Sequence, residues 1–170
     1  MNKTTILLTI PVTALLTQPL WAPQWGAGIL GEIAAFGPVG SVIAMTIFFG
    51  LVALYCQSLK RLLEATRPEA RSRTPRSIWL MFAIPFNFVE DFFIVADIHS
   101  SMRNDGRTAQ PALRLWHLLG MAWCILQIGS LLPGTIGVTT GTLALIIWAW
   151  HWIYTALIHR KLANQPMNVG

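Results

Sequence analysis

Apolar residues come in long runs along the chain, separated by short clusters of proline, glycine and charge. A helix rises about 1.5 Å per residue, so ~20 apolar residues cross the ~30 Å hydrocarbon core of a bilayer. Four runs approach that length, at about 4–21, 38–58, 114–132 and 138–158. None shows the ~10-residue alternation of a membrane strand. The pattern therefore predicts an all-α integral membrane fold, in one domain over residues 1–170, with about four transmembrane helices.

Proline and glycine set the boundaries. Pro38 opens the second run, in the first helical turn, where a missing N–H costs no bond. Pro133-Gly134-Thr135-Ile136-Gly137 divides the last two runs and predicts an antiparallel hairpin. Pro23 to Gly37 is too short and glycine-rich to cross; Trp21 and Trp25 suit the interface, and Ile29–Phe36, with Glu32, predicts a short interfacial helix. The first run also has the outline of a secretory signal peptide, with Lys3 ahead of the apolar stretch and Ala22 after it. A retained helix is the expectation, because neighbouring helices can bind the carbonyls freed by Pro11 and Pro19.

One stretch fits neither loop nor span. Residues 77–99 are rich in aromatics yet carry Asn87, Glu90, Asp91 and Asp97. At 100° per residue, Asn87, Glu90, Asp91, Asp97 and Ser101 fall within roughly 120° of one another, so this is an amphipathic helix with an acidic stripe. Pro85 disfavours helical geometry at Ile84 and predicts a bend from the apolar arm Ile78–Ala83. Two central carboxylates would cost on the order of 5–7 kcal/mol to insert. The expectation is an interfacial or re-entrant segment, with a fifth crossing as the alternative.

The charges support that choice. The chain has 12 Lys and Arg. With five crossings, Arg103, Arg107, Arg114, Arg160 and Lys161 would face away from Lys3 and the basic loop 60–76. With four, all 12 lie on one side, which the positive-inside rule makes cytoplasmic, together with the C-terminus. The predicted location is the inner (cytoplasmic) membrane of a bacterium. An acidic stripe is repelled by an anionic leaflet and so predicts a protein-facing surface. Arg71, Arg73, Arg76, Arg103 and Arg107 are its nearest candidate partners.

Composition agrees. Hydrophobic residues make up 54% and charged residues 11%, against about 25% charged in a soluble domain. The net charge of +5 reads as topology signal and lipid headgroup contact rather than nucleic-acid binding. Cys56 and Cys124 lie in apolar runs without metal-ligand spacing, which predicts two reduced, buried thiols.

Intramembrane ionisable groups are functional candidates because they are costly to place there. His117 and His151 fall on the last two predicted helices, at depths that differ by roughly 6 Å. They could hold a haem b or contact a pigment. The blander reading is a polar packing interior, with His117, Gly120, Cys124 and Gln127 on one helix face and Thr140, Ala144, His151 and Thr155 on the other. Glu90 and Asp91 lack the Glu-x-x-His partners of a di-iron site. No phosphate loop, nucleophile elbow or zinc motif is present. The expected function is a non-catalytic accessory or scaffold subunit that packs with other membrane protein subunits and lipids. The alternatives are a haem- or metal-binding redox subunit and a small oligomeric transporter.

Overall fold

The computed structural model describes residues 3–26, 31 and 33–165. All regular structure among the described residues is helical: α1 (Lys3–Leu16), α2 (Gln18–Trp21), α3 (Gly37–Ala65), α4 (Asn87–Asp105), α5 (Gln110–Gly129) and α6 (Gly134–Ala163). Three of these, α3, α5 and α6, are long and apolar enough to cross a membrane, and the protein is a membrane protein on that ground. The run expected to span from 4 to 21 is divided. Pro19 cannot donate an N–H and crowds the turn before it, so α1 stops at Leu16 and α2 restarts with Pro19 in its first turn. The expected interfacial helix Ile29–Phe36 lies partly outside the described residues.

The 77–99 stretch also differs from expectation. Its apolar arm is a 3-10 segment, Pro75–Phe82, rather than an α-helix. After a bend at the cis Ile84–Pro85 peptide, α4 begins at Asn87 and passes His99 to reach Asp105. No breaker occurs before Gly106, whose φ of 74° closes the helix with its N–H on the Met102 carbonyl.

This segment forms a hairpin inserted among the long helices. On the way in, Met81 Sδ meets the Cys56 thiol at 3.4 Å and Phe82 lies beside Phe49, their ring centroids 6.1 Å apart. On the way back α4 packs along α5. The Arg67 N–H donates to Asp105 Oδ1 at 2.9 Å, so the hairpin leaves and returns at the same end of the bundle. The C-termini of α3 and α6 lie at that end too, joined through Arg107.

The core lies where α3, α4, α5 and α6 meet, around Tyr55, Leu59, Ile94, Ile98, Met102 and Trp116. Close approach is the main attraction between membrane helices, and Gly120 provides it. A Cβ there would sit 2.7 Å from Val95 Cγ1 and 3.0 Å from His151 Nε2. The Gly120→Ala variant is expected to lose about 1–3 kcal/mol of stability through overpacking, measured by unfolding in detergent micelles. An unchanged midpoint would show that α4 and α6 can separate freely at this level.

Candidate functional site

Glu90, Asp91 and Ser101 of the acidic stripe are buried inside the chain, and Asn87 and Asp97 are half-buried. Glu90 is 7% exposed and Asp91 2%. Arg73 Nη2 donates to Glu90 Oε1 at 2.6 Å, and its Nε lies 3.6 Å from Asp97 Oδ2. The Thr5 hydroxyl donates to Glu90 Oε2 at 3.4 Å. Asp91 Oδ2 accepts from Gln127 Nε2 at 3.0 Å, and the Ser101 hydroxyl accepts the Ser72 N–H at 2.9 Å. The stripe therefore faces α1, the loop before the 3-10 segment, and α5. Asn87 Oδ1, Asp91 Oδ1 and Arg73 Nη1 make no hydrogen bond within the described residues.

Of the five arginines expected to serve the stripe, the structure brings Arg73 to it. Arg71 instead donates to the carbonyls of Glu64 at 2.8 Å and Thr66 at 2.9 Å. Arg107 pairs with Asp105 at 2.8 Å and donates to the Ala65 carbonyl at 2.6 Å and the Leu162 carbonyl at 3.5 Å. The last carbonyls of a helix have no partner within it and carry the negative end of the dipole. They draw these guanidinium groups away from the acidic stripe. Arg76 and Arg103 make no ion pair among the described residues.

Asp105 and Arg107 tie the ends of three helices together, with Arg67 Nε 3.5 Å from the same carboxylate. Burial alone would raise the Asp105 pKa. Hydrogen bonds from Arg107 and the Arg67 N–H, with both guanidinium charges, outweigh burial and hold it below the usual carboxylate range. Asp97 moves the other way: burial raises its pKa, opposed by Arg73 and reinforced by Glu90. His99 is lowered by burial, by His117 and by Arg103.

The two candidate ligands have separate surroundings. His151 is fully buried; its Nδ1 shares a 2.8 Å hydrogen bond with the Tyr55 hydroxyl and its ring packs on Trp116 at 4.6 Å. Gly120 closes the Nε2 side, as its neighbouring distances show. The His117 ring packs on His99, their centroids 4.4 Å apart. Of the two expected packing faces, Gly120 and Cys124 on α5 and Ala144, His151 and Thr155 on α6 are buried, while His117 and Gln127 turn toward α4. Trp116 Nε1 donates to the Thr155 hydroxyl across that interface at 2.9 Å. Cys56 and Cys124 are free and buried. Among the described residues no group of three His, Cys, Asp or Glu side chains could hold a metal ion.

Sequence reasoning missed the threonine ladder of α1. Thr9, Thr13 and Thr17 each donate to the carbonyl four residues back, and Thr5 at the ladder's start reaches Glu90. The signal was present as threonine at 5, 9, 13 and 17, a spacing that marks one helix face. No family model, no curated protein and no solved structure matches this chain.

Proposed function

We propose that the protein is a small accessory or scaffold subunit that packs within a larger complex of the inner membrane. One observation carries this reading: among the described residues each buried carboxylate, and His151, has a partner inside the chain, while a long apolar surface is left without intramolecular cover. Glu90 and Asp97 have Arg73, Asp91 has Gln127, Asp105 has Arg107, and His151 has Tyr55. By contrast, α3 has no buried residue before Tyr55. Val39, Val42, Ile43 and Ile47 are each more than half exposed there. A surface of this kind suits lipid and neighbouring helices.

In the topology that goes with this reading, α1, α3, α5 and α6 cross the bilayer and the hairpin of residues 66–106 re-enters from the cytoplasmic side. The shared end of α3 and α6 gathers Lys60, Arg61, Arg160 and Lys161, the asymmetry of a cytoplasmic face. Two measurements test the proposal. A photo-crosslinker at Ile43 is expected to give a protein adduct of one defined mass in native membranes; lipid adducts alone would refute the scaffold reading. Cysteines at Glu69 and Asn104, both exposed, are expected to label from one side and Thr135→Cys from the other. Labelling of Glu69→Cys and Asn104→Cys from opposite sides would replace the re-entrant hairpin with a fifth crossing.

A further inference from the structure

Between the ends of α3 and α6 the chain forms a cavity of about 430 Å³, lined by Arg61, Glu64, Arg107, His159, Leu162 and Gln165. The surrounding charge is strongly positive: Lys60, Arg67, Arg71, Arg160 and Lys161 belong to the same end, against Glu64, Glu69 and Asp105. The groups differ in how they are engaged. Arg107 is held by Asp105 and two helix carbonyls, and Glu64 lies 3.5 Å from Lys60 Nζ. Arg61 and His159 make no ion pair or side-chain hydrogen bond among the described residues, and both border the cavity. The cavity therefore offers free donors beside a structural guanidinium, at the level where apolar helix gives way to charge. Leu54, two turns up α3 from Arg61, is 58% exposed and continues the same flank as apolar surface.

We infer that this cavity binds the phosphate headgroup of an anionic phospholipid, with Arg61 and His159 as its donors and the acyl chains against the adjoining apolar flank of α3. Basic recesses between helices at a membrane's cytoplasmic face have the chemistry for such headgroups. The inference rests on the reading that α3 and α6 end at a bilayer surface, and it is independent of whether the protein joins a larger complex.

The test uses native mass spectrometry of the purified full chain in a nonionic detergent. The probes are phosphatidylglycerol, phosphatidylcholine with the same acyl chains, and inorganic phosphate. The wild type is expected to retain phosphatidylglycerol over phosphatidylcholine. Arg61→Gln/His159→Gln should lose that preference, by about fivefold for the Arg61 charge alone. Ala163→Glu, which places a carboxylate at the cavity rim, should lose it as well. Arg160→Gln/Lys161→Gln removes two cations outside the cavity and should leave the preference in place. Equal loss in this control would assign the effect to diffuse surface charge and overturn the site. Displacement of the lipid by millimolar inorganic phosphate would identify a free-phosphate site and overturn the lipid assignment. The cysteine-labelling and crosslinking results are read separately, so failure here leaves the accessory-subunit reading intact.

Discussion

Replacing Arg73 by methionine is expected to destabilise the protein by about 3–5 kcal/mol, the usual cost of leaving one partner of a buried ion pair alone. Arg73 and Glu90 side chains are only 10% and 9% exposed, so water cannot take over from the lost guanidinium. Thr5 offers Glu90 one neutral hydrogen bond at 3.4 Å, too little to offset the charge. The damage should be local to the hairpin, because Arg73 connects the inbound arm of the hairpin to two positions on the outbound helix. Asp97 is 38% exposed and can turn to solvent. The paired variant Arg73→Met/Glu90→Leu removes both charges and should recover most of the loss, since apolar replacement of a whole buried pair is often neutral. Arg76→Gln and Arg103→Gln, on arginines without ion pairs, should change stability by less than about 0.5 kcal/mol. Unfolding in mixed micelles, followed by circular dichroism, measures all four. If the paired variant is as unstable as Arg73→Met, the ion pair is not what holds the hairpin.

The contrast between Arg73 and its four neighbours also shows where sequence reasoning ends. Helical features follow from periodicity: the apolar runs located α3, α5 and α6, and the 100° step placed Glu90, Asp91 and Asp97 on one stripe. Choosing Arg73 over Arg71 needed the path of an irregular loop, which has no period to read. It also needed the knowledge that the end of α3 sits within reach of Arg71 and Arg107. Tyr55 escaped notice for a related reason. It lies inside an apolar run, and its importance comes from His151, 96 positions away. The first run is divided where an unbroken helix was expected, because hydropathy counts residues without counting broken turns. Pro11 is accommodated within α1, while Pro19, two residues beyond the break at Thr17, stands at the start of a separate turn.

Arg107→Ala is expected to cost about 3 kcal/mol, because one side chain serves a buried carboxylate and two helix ends at once. The Asp105 side chain is fully buried, and without Arg107 its remaining charged partner is Arg67 at 3.5 Å. The Ala65 and Leu162 carbonyls would lose their donor, which loosens the contact between α3 and α6. A pH series separates this from a simple packing defect. Asp105 is depressed in the folded state, so its stabilisation is present in full above the unfolded carboxylate value of about 3.9. It is lost as pH falls through that value and on through the lower folded one. The Asp105 contribution in the wild type should thus be level from neutral pH down to about 5 and be partly lost below about 4. Arg107→Ala relaxes the depression of Asp105, so its stability should fall less steeply over the same acid range. The difference between the two curves isolates this carboxylate from the other acidic groups, which both proteins share. Parallel acid limbs would mean that Arg107 acts on the helix ends alone and that Asp105 draws its low pKa from Arg67.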